Sequence, residues 1–278
     1  MTMLRSKTAY KTLGRVSASL LARLQNEGKT IFTIEDAIKI GKKDYFATGD
    51  FLSELVKRKV LARIKSGKYL ILQTGTENTQ LKNWPVIARE LVPPHPYFIS
   101  YYSAMRLHGM TTHPLFEICV TVPHRFPDRK VSDFKYRFIY CKKEHFWGDE
   151  TRWVTKQEKV DVSDLERTVL DGLDRPDLCG GILEVVRGIW AKKADINSQK
   201  MLKYAKKFRT KAALKRLGLI FETLKIKEDL ARELFEILAD SKDYILLDPT
   251  SSKKGKHLKR WHVVLNSDLE ELKEGIWA

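Results

Sequence analysis

The chain has 278 residues, and at roughly 100–200 residues per domain that length predicts two domains. With 43% hydrophobic and 31% charged residues the composition is that of a globular chain, which excludes collagen-like repeats and wholesale disorder. The net charge of +16, from 51 basic against 35 acidic residues, names polyanions as the partner class, nucleic acid first.

Aliphatic runs such as Tyr244-Ile245-Leu246-Leu247 fall far short of the roughly 20 residues of a membrane helix, so no membrane span is expected. No apolar segment of signal-peptide length follows the charged start of the chain, and the expected location is the cytoplasm. Cys119, Cys141 and Cys179 are odd in number and widely spaced without a CxxC pair, which suggests buried thiols and neither a disulfide framework nor a zinc ribbon.

The charge is unevenly placed. Up to Trp84 there are 16 basic and 7 acidic residues, against 35 and 28 in the remainder, so +9 of the +16 lies in under a third of the length. This asymmetry predicts a phosphate-contacting N-terminal domain of residues 1–75 and a larger, more balanced domain of residues 76–278. The polar stretch Gln73-Thr74-Gly75-Thr76-Glu77-Asn78-Thr79 reads as the connector.

Leu13, Val16, Leu20, Leu21 and Leu24 recur at helical period until Glu27-Gly28 ends a first helix. After the apolar pair Ile31-Phe32, Thr33 with Asp36 forms a capping box for a helix through Ile40, which Gly41 stops. Asp44 caps a third helix with Phe51, Leu52, Leu55 and Val56 on one face. Period-two runs from Val60 to Ile64 and from Tyr69 to Leu72, joined by Lys65-Ser66-Gly67-Lys68, then predict a hairpin. Two short helices with a tight turn followed by a hairpin spell a winged helix-turn-helix.

In that arrangement the recognition helix presents its N-terminal residues to base edges, here Lys42, Lys43, Tyr45, Thr48 and Gly49. Arg63, Lys65 and Lys68 on the hairpin are placed to neutralise phosphate, which fixes orientation and carries no sequence information. Asp50 and Glu54 must point away from the backbone or accept from a cytosine amine. The alternative is a winged helix used for protein contacts, its lysines only solvating one face.

The second domain begins with a short helical stretch from Trp84 to Leu91 and the rigid run Pro93-Pro94-His95-Pro96. Strand-like segments Phe116–Val122 and Phe134–Cys141 follow, and Val160 to Leu173 passes from alternation into a helix begun by Ser163 or Asp164. The expected fold is therefore α+β, an N-terminal winged helix-turn-helix domain followed by a larger mixed α+β domain. Lys203, Lys206, Lys207, Arg209, Lys211 and Lys215 fall in a run without an acidic residue, which reads either as a surface for an acidic partner or RNA, or as amphipathic helices with solvated lysines. Lys253-Lys254-Gly255-Lys256-His257 with Lys259-Arg260 forms a second basic cluster, in a Gly- and Ser-containing loop of the kind whose lysines are usually just solvated.

Several segments in order resemble the AbiEi-type antitoxins of type IV toxin–antitoxin (abortive infection) systems. They are the N-terminal winged helix, Ile99-Ser100-Tyr101-Tyr102-Ser103-Ala104 leading to His108-Gly109, Val162-Ser163-Asp164-Leu165-Glu166-Arg167-Thr168 with Asp171, and Pro176 to Gly181. Leu214-Lys215-Arg216-Leu217-Gly218-Leu219 and Leu247-Asp248-Pro249 with Trp261 extend the match over nearly the whole chain. The resemblance implies a repressor that binds inverted repeats in double-stranded DNA of its own promoter, where a homodimer would fit, and a C-terminal antitoxin domain that counteracts a nucleotidyltransferase-like toxin, directly or functionally.

Enzyme readings are weaker. Pro127-Asp128 with Asp133-Phe134-Lys135 spells a PD…DxK pattern of metal-dependent nucleases, yet four residues between the carboxylates suggest a turn. Glu166 reads as a helix-start partner and Asp171 as a carboxylate for Arg167 or Arg175. The seven histidines include no HExxH, and neither a Walker sequence nor a GxGxxG occurs. His108 is expected to bond locally at a helix end. No catalytic residue, metal or cofactor is therefore expected; a metal-dependent nuclease with a DNA-binding module and a plain transcriptional regulator are the alternatives.

Overall fold

The computed structural model describes residues 13–72, 84–92, 94–208 and 210–267. The architecture is mixed α+β in two compact units, Met1–Leu91 and Val92–Ala278.

The first unit runs α1 (Arg15–Asn26), β1 (Ile31–Thr33), α2 (Ile34–Gly41), α3 (Tyr45–Lys57), β2 (Leu61–Lys65), β3 (Lys68–Ile71) and α4 (Trp84–Leu91). Its local signals act as the sequence predicts. Thr33 and Asp36 form a complete capping box on α2, and the Asp44 carboxylate accepts from the Ala47 amide at 2.9 Å to start α3. Lys42 closes α2 in the left-handed conformation, φ 52°, and so turns the chain directly into α3. Strand β3 lies between β1 and β2, antiparallel to both, and a register shift between Arg63 and Lys65 bends the hairpin near its tip. Leu24, Phe32, Leu52, Leu55 and Leu61 fill the core, each at most 1% exposed. Helix α4 packs against β2, so the division between units falls after Leu91; the boundary predicted near residue 75 lies outside the described residues.

The second unit centres on a six-stranded mixed sheet in the order β6-β7-β5-β4-β9-β8. These strands are β4 (Phe98–Ile99), β5 (Glu117–Val122), β6 (Arg129–Val131), β7 (Phe134–Tyr140), β8 (Asp149–Trp153) and β9 (Lys159–Ser163). Helix α5 (Tyr101–Leu107) leaves β4, and α6 (Leu165–Asp174) leaves β9. Helices α7 (Ile182–Ala191), α8 (Ser198–Lys207), α9 (Lys211–Thr223) and α10 (Glu228–Ile237) follow. A small sheet of β10 (Ile245–Leu246), β12 (Val263–Leu265) and β11 (Lys256–Leu258) completes the described chain. One apolar core joins α6, α7, α9 and α10; α9 is buried on nearly all sides, and Trp261 packs so closely on it that no Cβ would fit at Gly218. No helix among the described residues is long and apolar enough to cross a membrane.

Candidate nucleic-acid interface

At the start of α3 four side chains stand in solvent. Lys42 and Lys43 are exposed, and Lys43 holds its ammonium 5.3 Å from the centre of the Phe51 ring. Tyr45 and Phe46 pack edge to face with ring centres 6.0 Å apart, and Phe46 is 82% exposed, the largest value among the exposed large apolar side chains of the described residues. Sequence reasoning missed Phe46. Its helical neighbours three and four residues on are Gly49 and Asp50, so no apolar stripe could take it inward, and that spacing was the available signal.

Other predicted contacts move. Thr48 is 3% exposed and faces a recess bounded by Arg15, Ser19 and Arg23 of α1 and by Lys43, so it has no route to a base edge; period 3.6 places it on the same buried face as Leu52 and Leu55. Gly49 is half-buried, and a Cβ there would meet only Ile34 Cδ1, at an ordinary 3.8 Å. No close approach requires glycine at this position. Asp50 and Glu54 are exposed farther along α3, Glu54 lying 3.9 Å from Lys57. The outward face of α3 is therefore cationic and aromatic at its start and anionic in its middle.

On the hairpin, Arg63 is exposed and Lys65 half-buried, its charge disfavoured by partial burial and by neighbouring Lys68. Lys68 is already engaged. Its ammonium pairs with the Glu90 carboxylate of α4, which Arg89 also contacts at 2.9 Å. Burial pushes the Glu90 carboxyl up, but the hydrogen bonds from Lys68 and Arg89 outweigh it and hold the group below the usual range. The hairpin thus offers Arg63 and Lys65, and Lys68 is a structural cation.

The basic run of the second unit also divides. Lys203, Lys206 and Lys207 on α8 and Lys211 at the start of α9 are exposed, whereas Lys215 is 2% exposed and donates to the Asp243 carbonyl. Lys215 therefore belongs to the interior and not to a partner surface. Arg209 lies outside the described residues. Lys207 holds its ammonium 3.7 Å from the Trp147 ring centre, while Lys200 pairs with Asp164 at 3.2 Å and Glu166 at 2.9 Å.

Beside α8 the Val162–Asp171 segment forms a buried charged framework. Asp164 caps α6 by accepting from the Arg167 amide at 2.8 Å and takes the Tyr204 hydroxyl at 2.7 Å. Glu166 accepts from the Asn197 amide at 2.8 Å, tying α6 to the start of α8. Arg167 donates Nε to Asp171 Oδ1 at 2.8 Å and Nη1 to the carbonyls of His145 and Trp147 at 3.0 and 2.9 Å. Its guanidinium lies 4.4 Å from the Trp147 ring centre. Gly148 makes room for it, since a Cβ there would come within 3.1 Å of Arg167 Cβ, and its φ of +80° suits glycine alone.

His108 does not bond locally at the helix end. Burial lowers its pKa, and its Nδ1 accepts from Arg152 at 3.1 Å, which leaves Nε2–H to donate to the Ser163 carbonyl at 2.7 Å. Of the nuclease-like residues, Asp128 and Lys135 meet as an ion pair. Lys135 pairs with Glu117 at 3.0 Å and Asp128 at 3.1 Å, while Asp133 is exposed at the turn between β6 and β7. No group of three or more His, Cys, Asp or Glu among the described residues is placed to hold a metal.

No protein-family model matches this chain, and no curated protein matches it. Its fold is similar to the crystal structure of the RV2827C protein from Mycobacterium tuberculosis, with a TM-score of 0.67 over 96% of both chains at 15% sequence identity. Likeness at that identity shows a common fold alone.

Proposed function

We propose that the first unit is a winged helix-turn-helix that binds double-stranded DNA, and that the protein is an autoregulating antitoxin of the AbiEi type. The observation that carries the DNA reading is the start of α3, where Lys42, Lys43, Tyr45 and Phe46 are all exposed, with Arg63 exposed on the hairpin that follows this helix. The element order α1-β1-α2-α3-β2-β3 with β3 between the other two strands supports it, as does the +9 carried by the first 84 residues. Lys42 and Lys43 neutralise phosphates, and Tyr45 and Phe46 meet base edges, where an aromatic ring suits a thymine methyl. Because Asp50 and Glu54 would repel the phosphate backbone, α3 enters the groove by its first turn and does not lie along it.

In the second unit, Lys203, Lys206, Lys207 and Lys211 form the surface proposed to act on the nucleotidyltransferase-like toxin, directly or functionally. The order of segments resembling AbiEi antitoxins supports this half of the reading. A regulator without a toxin would use the same DNA interface, and gene content separates the two.

The test is a footprint on the DNA upstream of the protein's own gene, repeated from low to moderate salt. Protection of an inverted repeat is expected, with affinity falling steeply as salt rises by about 0.9 log units per log unit for each phosphate contacted. Absence of any duplex binding at low ionic strength overturns the DNA reading. Co-expression with the neighbouring gene product tests the rest: relief of growth arrest supports an antitoxin, and a neighbour that is not nucleotidyltransferase-like removes that half while leaving the DNA-binding half.

A further inference from the structure

Within the second unit a cavity of about 150 Å³ opens between the sheet and α6, walled by Tyr101, Tyr140, Trp147 and Phe208 and floored by Arg167 and Asp171. Asp171 is 3% exposed, and its Oδ1 is taken by Arg167. Its Oδ2 is the one buried side-chain nitrogen or oxygen among the described residues that has no hydrogen-bond partner. A buried carboxylate oxygen left without a donor is costly, so a persistent one on a residue that lines a cavity calls for a donor from outside the chain. The rim has the opposite sign: Lys142 lines the opening, exposed, and Lys207 is exposed above Trp147.

These features constrain the occupant from both ends. A bare anion would meet Asp171 and Asp174, and a simple amine would meet Arg167 and Lys142 in the lining, with Lys207 over the Trp147 ring. What satisfies all of them is flat and uncharged with N–H donors at one end and anionic at the other. We propose that this cavity binds a nucleoside monophosphate, free or as one unit of single-stranded RNA, with its base between the aromatic walls donating to Asp171 Oδ2 and its phosphate at Lys142 and Lys207. Stacking of an unpaired base on aromatic side chains supplies affinity, and the carboxylate selects an amino- or imino-bearing edge. Burial raises the Asp171 carboxyl to about 6 despite Arg167, so at neutral pH the group is mostly an acceptor. The proposal does not rest on the duplex-binding reading, which concerns the other unit.

The full chain is titrated with AMP, CMP, GMP and UMP, with the four nucleosides, and with a short single-stranded oligoribonucleotide, followed by calorimetry and by tryptophan fluorescence. Saturable sub-millimolar binding of at least one monophosphate is expected, with a fluorescence response that disappears in Trp147→Phe. Replacing both Lys142 and Lys207 by alanine should weaken the monophosphate roughly tenfold and leave its nucleoside unchanged. Asp171→Asn, checked for an intact near-ultraviolet dichroism, should weaken nucleoside and nucleotide alike. Tighter binding of the oligomer than of the monophosphate assigns RNA, and the reverse assigns the free nucleotide. No saturable response up to about 10 mM of any probe overturns the proposal and leaves the cavity to water. So does binding that the lysine pair does not alter, and since these exposed residues are not part of the core, that arm stands even if Asp171→Asn fails to fold. Duplex binding measured on the same variants stays constant, which separates a failure of this site from a failure of the first unit.

Discussion

The two units place their charges in opposite ways. In the first, the only buried polar residues described are Ser17 and Thr48, and every described lysine and arginine keeps at least part of its side chain in water. In the second, Asp164, Glu166, Arg167, Asp171, Glu184, Lys215, Arg216 and Asp248 are all buried. Charges at a surface contribute little to stability and remain available to a ligand, whereas charges inside a core fix its geometry and become expensive when a partner is lost. The difference separates a unit whose cations stay at the surface from one in which Arg167, Lys215 and Arg216 are buried and hold helices and loops together.

The contrast breaks most visibly at Arg167. Replacing it by alanine removes the partner of Asp171 and the donor to two loop carbonyls, and should destabilise the second unit by about 3–5 kcal/mol while leaving duplex binding by the first intact. Chemical denaturation followed together with a duplex-binding assay checks this; a change under about 1 kcal/mol would show that the framework is not what holds the unit.

A smaller effect is expected from pH. The Asp171 carboxyl titrates near 6 in the folded chain against 3.8 in its absence, so the folded state holds the proton more tightly. The associated stability is fully present below pH 4 and is lost as pH rises from about 4 to 6, a difference of about 3 kcal/mol. Glu117 and Asp177 carry pKa values lowered by basic partners and act in the opposite sense, so the readout is the comparison of wild type with Asp171→Asn across that window. Equal pH profiles for the two proteins would remove Asp171 as a titrating group.

At the first unit, alanine at both Lys42 and Lys43 should lower affinity for operator and random duplex alike, and flatten the salt dependence by about two phosphate equivalents. Phe46→Ala should instead change the preference among sequences with little effect on the salt slope. The smallest expected difference lies on the hairpin: Arg63→Ala removes about one phosphate equivalent, while Lys68→Ala leaves the slope unchanged and costs about 1 kcal/mol of folding stability. Equal salt slopes for Arg63→Ala and wild type would exclude the hairpin as a phosphate contact.

Features set by near neighbours in sequence were legible beforehand. The capping box of Thr33 and Asp36, the Asp44 cap and the hairpin around Gly67 each involve residues within a few positions, and all are present. So is the Arg167–Asp171 pair, one helical turn apart. What failed was availability. Lys68 and Lys215 read as free cations because their partners, Glu90 and Asp243, lie 22 and 28 residues away, and Thr48 read as exposed because a polar residue was set above its helical phase. Likewise, His108 finds both partners at remote strands, Ser163 and Arg152, which no local pattern announces. The charged interior of the second unit was visible as a motif, but the cavity beside it depends on loop carbonyls from His145 and Trp147 that only the fold brings round.

The clasp between Lys68 and Glu90 bears on how the first unit can be studied by itself. A fragment ended at residue 75 would keep the hairpin and discard Glu90, releasing a cation that the intact protein has neutralised. Such a fragment would hold polyanions more tightly and with a steeper ionic-strength response than its parent, and its discrimination between duplexes would suffer, since the added attraction is indifferent to sequence. A cut beyond Leu91 keeps the counter-charge in place and, on the proposed DNA reading, preserves the balance between grip and choice.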